Sequence, residues 1–275
     1  PAAAIRADRL SRGLGDVYMR LGLGVGAVWC RSPAFFFKMK NLIVFITGAS
    51  SGIGFSTAEF LVENGYTVIG TSRNPDKYSN YKFPLIYMDL TNEKSISKAV
   101  KLVYDKYKSI DVLINNAGVS MAAPAEETDL DMLNELMKTN FYGPINVIKH
   151  VLKIMRLKNS GKIINISSIA GDNGLPFRSI YSASKAAINR FSESLRLELI
   201  NTNIYCTVLS PGSIKTSIAS NRLYAKVSKN SAYFSSYSDA VSDMNKHILK
   251  GVEPEKVSKK FEKLILEKKP KPHYK

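Results

Sequence analysis

The sequence has little cysteine, and this shortage excludes several kinds of site. Its 275 residues include two cysteines, Cys30 and Cys206, which stand far apart in unlike contexts. Neither a disulfide framework nor a cysteine-based metal site follows from this spacing, so no metal is expected. Proteins without disulfides are typical of reducing compartments, which makes the cytoplasm the default expectation for this chain.

Long apolar runs are also missing. The apolar run at 21–30 is shorter than the ~20 residues that a membrane-spanning helix needs. No other segment is apolar over such a length. We therefore expect no membrane partner.

Acidic residues are scarce relative to basic ones, which raises the question of a nucleic-acid partner. Lysine and arginine number 39 against 23 aspartates and glutamates, a net charge of +16. Residues 1–38 carry +4 of this excess, residues 250–275 carry +5, and the rest is spread over the body. No basic run is interleaved with aromatic residues, as a surface that stacks nucleic-acid bases requires. The pattern indicates a solvated, lysine-rich surface and no nucleic-acid partner.

Residues 1–38 differ in composition from the rest and are predicted to lie outside the fold. Their basic residues are mainly arginine, whereas lysine dominates after Met39. The stretch LGLGVGAVWC is also unusually rich in glycine. An added leader, upstream translation and a targeting segment all fit this composition. We expect residues 39–275 to form one domain.

From Met39 onward, short apolar runs alternate with amphipathic segments. The predicted strands are 42–46, 67–71, 85–88, 112–115, 162–166 and 204–209. Helical patterns lie between them, most clearly over 95–107, 130–157 and 179–199. This alternation predicts an α/β fold, a doubly wound parallel sheet with helices on both faces. The weakly periodic segment 213–240 follows the last of these strands, where such sheets bind ligands, and is predicted to be a substrate lid.

The segment TGASSGIG (47–54) lies between the first strand and the first helix and fits two kinds of site. A glycine-rich turn lets backbone N–H groups approach a phosphate at a helix N-terminus. The same letters satisfy the G-x-S-x-G pattern of a hydrolase, whose nucleophile would be Ser50. Both sites require a strand, a turn and a helix, so the rest of the chain has to decide between them.

The end of the second strand favours a dinucleotide with an extra phosphate. An NAD site commonly places a carboxylate about 20 residues beyond the glycines, to hold the ribose 2′-OH. Here the strand is followed by Arg73 and by no carboxylate. A guanidinium suits a 2′-phosphate in charge and in geometry. NADP(H) is therefore the preferred cofactor, with NAD(H) as the alternative.

Tyr181 and Lys185 lie four residues apart in the helical segment YSASK, and so share one face of the helix. A tyrosine hydroxyl, with an ordinary pKa near 10, is a poor acid–base catalyst at neutral pH. A neighbouring ammonium group favours the phenolate. The pair alone is a weak signal, and its weight comes from the motifs around it.

Those motifs follow a characteristic order. They are TGASSGIG (47–54), DL (89–90), NNAG (115–118), Asn140, NISS (165–168), YSASK (181–185) and SPGSIKT (210–216). The set resembles the short-chain dehydrogenase/reductase family, in its compact single-domain branch, over about residues 41–275. The resemblance implies a Rossmann-type three-layer α/β/α sandwich with a parallel sheet of about seven strands. The final residues, KPKPHYK, look like the start of a last strand.

The resemblance implies a role for each matching position. Tyr181 would be the general acid/base, Lys185 would assist it and hold the nicotinamide ribose, and Ser168 would bind the substrate oxygen. Asn140 would hold a water that links Lys185 to solvent. The residues expected to bind the cofactor are Gly48, Ser50, Ser51, Gly52, Ile53, Gly54, Arg73, Asp89, Leu90, Asn115, Ala117, Gly118, Tyr181, Lys185, Pro211, Gly212, Ile214 and Thr216.

The implied reaction interconverts a carbonyl and a secondary alcohol on a small or medium apolar substrate. The segments NNAGVSMAAPAEE and GLPFRSIYSASK resemble those of 17β-type hydroxysteroid dehydrogenases, so a steroid-like substrate is one expectation. A 3-oxoacyl-thioester reductase is the alternative. The family also implies a homodimer or homotetramer, with helices 130–157 and 179–200 at the interface. The residues expected at the substrate, besides Ser168 and Tyr181, are Met121, Leu175, Pro176 and Phe177.

Two functions of other classes compete with this one. A hydrolase that uses Ser50 needs an acid and a histidine later in the chain. Of the three histidines, His150, His247 and His273, none lies in a convincing loop after a strand. A nucleotide-sensing protein without turnover would be expected to lack Tyr181 or Lys185, and both are present. The sequence therefore favours a dinucleotide-dependent oxidoreductase.

Overall fold

The computed structural model describes residues 42–275, and the predicted extension at 1–38 lies outside them. The strands of this part are β1 (Ile43–Ile46), β2 (Thr67–Ser72), β3 (Leu85–Tyr87), β4 (Val112–Asn115), β5 (Met121–Ala122), β6 (Gly161–Ile166), β7 (Ile204–Leu209), β8 (Leu223–Tyr224) and β9 (His273–Tyr274). The helices are α1 (Gly52–Glu63), α2 (Glu93–Tyr107), α3 (Leu130–Met137), α4 (Gly143–Lys158), α5 (Ser179–Glu198), α6 (Phe234–Leu249) and α7 (Pro254–Leu266).

Seven of these strands form one parallel sheet in the order β3-β2-β1-β4-β6-β7-β9. Phe45 on β1 pairs with Ile69 on one side and with Leu113 on the other. Strand β9 pairs with β7, Val208 opposite His273, so the KPKPHYK segment supplies the seventh strand. Strand order reverses between β1 and β4, and ligands bind at such a point, outside the carboxyl ends of the strands.

Two apolar clusters cover the two faces of the sheet, which gives the three layers. Phe45 belongs to the first cluster, while its neighbours Val44 and Ile46 belong to the second. Helices α2, α4 and α5 contribute to the first cluster, and α1 and α7 contribute to the second. A strand buried on both faces reads as one continuous apolar run, which is why IVFI does not alternate. The predicted doubly wound α/β fold is confirmed.

Local signals fix where the first helices start and stop. The Asn92 side chain accepts a hydrogen bond from the Ser95 N–H at 3.1 Å and caps the start of α2. Helix α1 ends at Asn64, and Gly65 follows with φ +85, a left-handed conformation that glycine adopts without strain.

The helix predicted over 130–157 is interrupted. Helices α3 and α4 are joined by a π-helical turn over Lys138–Tyr142. In a regular α-helix the N–H at position 144 would bond to the Asn140 carbonyl, but Pro144 has no N–H. The wider turn carries Asn140 into the interior, where it is 2% exposed. Such π turns are frequent at functional sites.

The segment predicted as a lid, 213–240, has regular structure. Its strand β8 pairs in parallel with β5, Met121 opposite Leu223, and α6 begins at Phe234. The Tyr237 hydroxyl donates a hydrogen bond to the Ala122 carbonyl oxygen at 2.8 Å. The segment is therefore tied to the loop after β4.

Between residues 42 and 275, no helix combines the length and the apolarity needed to cross a membrane. The same residues contain no group of three or more histidine, cysteine, aspartate or glutamate side chains arranged to hold a metal ion.

We predict that Phe261→Ala unfolds at lower denaturant concentration than the parent chain. Phe261 on α7 is fully buried in the second cluster, and truncating such a ring leaves a cavity that costs about 3–5 kcal/mol of unfolding free energy. Lys256→Ala, on the exposed side of α7, is the matched control and should have little effect. Urea denaturation followed by circular dichroism measures both, and equal midpoints would contradict the packing of α7 on the sheet.

Candidate active site

The turn after β1 has a backbone path that requires glycine. Gly48 has φ +65 and Gly52 has φ +56, values that disfavour other residues. A Cβ on Gly48 would lie 2.8 Å from the Ala117 Cβ, and one on Gly54 would lie 2.3 Å from the Gly48 carbonyl oxygen. Helix α1 begins at Gly52 with no acidic residue in its first turn. The turn thus combines close backbone approach with a helix N-terminus, as a pyrophosphate site requires.

The loop after β4 holds this turn in place. The Asn116 side-chain amide donates hydrogen bonds to the carbonyl oxygens of Thr47 at 3.0 Å and Gly48 at 2.9 Å. In return, the Thr47 hydroxyl accepts from the backbone N–H groups of Asn116 and Ala117, both at 3.0 Å. Sequence reasoning missed Asn116 as a functional residue, although it lies within the NNAG motif. These four bonds fix the spacing of the two loops.

The end of β2 forms the adjoining part of the site. The Thr71 hydroxyl accepts a hydrogen bond from the Gly48 N–H at 3.2 Å. Arg73 is exposed and shares a shallow surface depression with Lys77, a second cation that the sequence analysis did not single out. The Tyr81 hydroxyl donates to the Ser50 carbonyl oxygen at 2.9 Å and supports the turn from the same side.

Three expected cofactor residues have side chains packed inside the fold, and their assignment to the cofactor stays a prediction. The Asn115 amide donates to the Asn165 side chain at 2.9 Å within the sheet. Leu90 packs in the first apolar cluster, and Ile214 packs in the second beside its bridge to Val252. A motif fixes their position in the chain but not the direction in which each side chain points.

The segment after β7 covers the glycine turn. A Cβ on Gly52 would lie 3.4 Å from the Thr216 side chain, so the two segments are in contact. The Pro211 carbonyl oxygen accepts from the Ile169 N–H at 3.3 Å, which ties this segment to β6 as well. The remaining expected cofactor residues are partly or fully exposed: Ser50 and Ser51 before α1, Ile53 in its first turn, Asp89 after β3 and Gly212 after β7.

Tyr181 and Lys185 lie together in the interior on α5. They are 5% and 6% exposed, and the Lys185 Nζ is 6.0 Å from the centroid of the Tyr181 ring. Lys185 Nζ donates to the Ile166 carbonyl oxygen at 3.0 Å, which holds it at the carboxyl end of β6. The buried Ser167 hydroxyl donates to the Lys185 carbonyl oxygen at 3.2 Å, whereas Ser168 is half-buried. Ser168 is thus the serine open to a ligand.

Asn140 joins the π turn to the centre of the site. Its Oδ1 accepts from the Val119 N–H at 2.9 Å, and its Nδ2 donates to the Val119 carbonyl oxygen at 2.9 Å and to the Ser184 hydroxyl at 3.2 Å. A Cβ on Gly118 would lie 3.1 Å from Asn140 Oδ1 and 3.5 Å from Lys185 Nζ. Because residue 118 is glycine, the side chains of Asn140 and Lys185 can both lie close to the loop after β4.

A second cation, Arg178, stacks on the tyrosine. Its Cζ is 4.4 Å from the centroid of the Tyr181 ring, and it donates from Nη2 to the Ser120 hydroxyl at 3.2 Å. Burial lowers the pKa of Lys185 below its ordinary value, and the nearby Arg178 charge lowers it further. No family motif marks Arg178, so the sequence analysis missed it.

A third apolar cluster forms a wall beside Tyr181. Met121 is buried in this cluster and Leu175 packs against it, whereas Pro176 is exposed. Phe177 has φ +56, a strained conformation for a residue with a side chain, and strain of this kind is found at functional sites. Its ring centroid lies 5.6 Å from that of Tyr237 on α6. Of the four apolar residues predicted at the substrate, Met121 and Leu175 thus belong to or pack against the cluster that contains Tyr181, and Phe177 contacts α6.

A serine hydrolase arrangement is not formed around Ser50. In the described residues, no histidine is a hydrogen-bond partner of the Ser50 side chain. Ser210 Oγ lies 2.6 Å from His273 Nε2, and Asp172 Oδ1 lies 3.7 Å from the same nitrogen. A catalytic triad places its acid on the other ring nitrogen, and Ser210 is fully buried. This trio therefore anchors β9.

The fold and the site together define a nucleotide-dependent oxidoreductase: a glycine cradle at the switch point of a parallel sheet, beside a tyrosine–lysine pair. The family model for short chain dehydrogenases matches residues 42–226. The chain belongs to this family, whose members act on CH–OH and carbonyl groups with NAD(P).

The chain is also similar to individual proteins. The chain is 37% identical, over 84% of its length and 86% of the relative, to a 3-ketodihydrosphingosine reductase of Bacteroides thetaiotaomicron. Among solved structures, it is similar to a short-chain dehydrogenase of Streptomyces avermitilis with a TM-score of 0.76 and 28% identity, covering 85% of this chain and 87% of that one. It is also similar to ElxO with NADP bound, with a TM-score of 0.68 and 27% identity, covering 84% and 95%.

We predict that Asn116→Ala weakens dinucleotide binding by up to about 30-fold. The variant removes two hydrogen bonds to the glycine turn, each contributing about 1 kcal/mol, so the turn would leave its binding conformation. Asn173→Ala, an exposed position, is the control and should bind as the parent does. Fluorescence titration with NADPH measures the change. Unchanged affinity in Asn116→Ala would show that the tether does not shape the site.

Proposed function

We propose that the chain is an NADP(H)-dependent oxidoreductase that interconverts a carbonyl and a secondary alcohol on a small or medium apolar substrate, with Tyr181 as the acid/base. The observation that carries the proposal is the pairing of a buried phenol and a buried ammonium on α5. This pair lies beside Gly118, in the same loop whose Asn116 holds the glycine turn. One site can thus bind a dinucleotide and move a proton.

The residues around the cradle fit a dinucleotide. Gly48, Gly52 and Gly54 leave room that any Cβ would fill, and the N-terminus of α1 offers unpaired N–H groups to a pyrophosphate. Lys185 would hold the ribose hydroxyls, and the segment 211–216 would cover the nicotinamide end. When bound, NADP(H) supplies or accepts the hydride.

Tyr181 and Ser168 perform the chemistry at the substrate oxygen. In the direction of reduction, the Tyr181 hydroxyl gives its proton to the oxygen as negative charge develops there. The Ser168 hydroxyl donates a hydrogen bond to the same oxygen and stabilises that charge. In the direction of oxidation, Tyr181 takes the proton back.

Lys185 and Asn140 support the proton transfer. The Lys185 ammonium stabilises a Tyr181 phenolate by its charge, at 6.0 Å from the ring centroid. By the family resemblance Asn140 would hold a water, and Pro144 has no N–H with which to pair the Asn140 backbone carbonyl in the regular α-helical pattern. Such a water would link Lys185 to solvent and return the proton.

The NADP(H) preference rests on the charges that follow β2. Arg73 and Lys77 share one depression, which also contains a single carboxylate, Asp76. Two cations favour the dianionic 2′-phosphate over a free hydroxyl.

The apolar wall supports an apolar substrate but does not single out one compound. The third cluster brings Met121 and Leu175 beside Tyr181, which suits an alkyl chain or a ring system. The steroid-like substrate and the alternative 3-oxoacyl thioester both stay predictions.

The homodimer or homotetramer and the cytoplasmic location also stay predictions. Exposed apolar side chains on the helices expected at the interface support the oligomer, namely Tyr142, Leu157 and Leu197.

We predict that Tyr181→Phe lowers the turnover of carbonyl reduction by roughly 100- to 10,000-fold, because it removes the proton donor and leaves the ring. NADPH binding should be retained, since the cradle is untouched. Tyr205→Phe, a partly buried tyrosine on β7, is the control and should keep full activity. NADPH oxidation followed by absorbance measures turnover. Full activity in Tyr181→Phe would contradict the proposed mechanism.

We predict that Arg73→Ala raises the dissociation constant for NADPH by about tenfold, because an exposed charge-assisted hydrogen bond is lost. The dissociation constant for NADH, which has no 2′-phosphate, should not rise. Arg190→Ala, an exposed arginine on α5, controls for the loss of surface charge. Paired fluorescence titrations give both constants. If the parent binds NADH more tightly than NADPH, the assigned role of Arg73 is overturned.

A further inference from the structure

Arg178 is partly buried without an acidic partner. Among the described residues it forms no ion pair, and its Nε is buried with no hydrogen-bond partner. Its guanidinium stacks on the Tyr181 ring, hydrogen-bonds the Tyr181 side chain and donates to the Ser120 hydroxyl. Burial lowers the pKa of Arg178, and the neighbouring Tyr181 side chain opposes this shift. A buried charge is costly unless it is paired.

Arg222 lies close by in the same condition. It is 5% exposed, and its Nε is also buried without a partner. Its Nη1 donates to the Asn245 side chain at 2.9 Å, a neutral acceptor. The next residue, Leu223, donates from its N–H to the Ser120 carbonyl oxygen at 2.9 Å, so Ser120 bonds both to Arg178 and to the chain beside Arg222. The positive charge of Arg222 lowers the pKa of Arg178 further.

Three positive charges thus lie beside Tyr181 or beside its neighbour Arg178. Arg178, Lys185 and Arg222 are buried or half-buried there, and none forms an ion pair within residues 42–275. Two carboxylates of the adjoining loops are engaged elsewhere, since Glu127 accepts a hydrogen bond from Ser231, and Asp172 pairs with Lys275 at 3.1 Å. Three cations without a counter-charge call for an anion.

The two cations on α5 approach Tyr181 from opposite ends. Arg178 precedes Tyr181 by three residues, and Lys185 follows it by four. Lys185 lies at Gly118 and the end of β6, on the side assigned to the cofactor. Arg178 lies at Ser120, next to Met121 of the apolar wall, on the side assigned to the substrate.

We propose that the substrate carries an oxyanion, a carboxylate or a phosphate ester, which the Arg178 guanidinium binds within a few bonds of the carbonyl that Tyr181 protonates. Arg222 adds a second positive charge to this anion site. The inference rests on the proposed function and deepens it: the substrate is amphiphilic, with an apolar part on the third cluster and an anionic group at Arg178. A protonated amine in the same place would be repelled.

The first experiment compares matched carbonyl compounds by calorimetric titration. The protein is saturated with NADP⁺, so that binding is measured without reduction. Levulinate is paired with its methyl ester, and dihydroxyacetone phosphate is paired with dihydroxyacetone. Aminoacetone is the cationic probe. We expect at least one anion to bind more than about tenfold tighter than its neutral partner, as a charge-assisted bidentate contact allows. A preference within the levulinate pair indicates a carboxylate, and a preference within the dihydroxyacetone phosphate pair indicates a phosphate ester.

The second experiment assigns the preference to its residues. The preference is the dissociation constant of the neutral compound divided by that of its anionic partner. Arg178→Gln keeps a hydrogen-bonding side chain without the charge and should reduce this ratio to near one. Arg178→Lys restores the charge and should restore part of it. Arg222→Gln should reduce the preference by a smaller factor. Arg190→Gln, an exposed arginine of α5, is the matched control and should leave the preference unchanged. In every variant, unchanged binding of the neutral partner shows that the pocket is intact.

Three results would overturn the inference. The first is that neither anion binds more tightly than its neutral partner. The second is that Arg178→Gln weakens the anion and the neutral partner by the same factor, which would give Arg178 a packing role. The third is that aminoacetone binds more tightly than either anion. Reduction by NADPH is measured separately: an anion preference without any carbonyl reduction contradicts the proposed function and leaves the anion site standing.

Discussion

The close contact between the glycine turn and the loop after β4 is the constraint on which the site depends. Gly48 lies against Ala117, and Asn116 bonds to the backbone of the turn. Gly118, which follows Ala117, lies close to Lys185 Nζ. The short loop after β4 therefore contacts both the glycine turn and the tyrosine–lysine pair. Because β1 and β4 are neighbours at the switch point, the sheet itself brings this loop to the turn.

Charge is the second organising feature of the site. Cations lie at three places in and around the site: Arg73 and Lys77 after β2, Lys185 beside Tyr181, and Arg178 on the Tyr181 ring. Burial lowers the pKa of Lys185 and of Arg178. Under the proposed function, an anionic ligand would compensate these buried charges.

The sequence predicted the parts of the fold that depend on local pattern. Apolar runs such as IVFI and IYCTVL gave strands within a residue or two of β1 and β7, because buried parallel strands are continuous apolar segments. It did not predict the π turn at Asn140, which follows from the missing N–H of Pro144 and from burial. Nor could it show that the Asn115 side chain points into the sheet, or that Arg178 stacks on Tyr181. Those contacts join residues far apart in the chain or depend on side-chain direction.

If the proposed function is right, this site transfers a hydride from a dinucleotide to a carbonyl carbon. This is tested with NADPH carrying deuterium at one or the other face of nicotinamide C4, with a carbonyl substrate and product analysis by mass spectrometry. We expect deuterium from one face only to appear on the carbinol carbon, because the cradle would hold the cofactor in one orientation. Alcohol formed without deuterium from either face, with the cofactor bound, would contradict the proposed function.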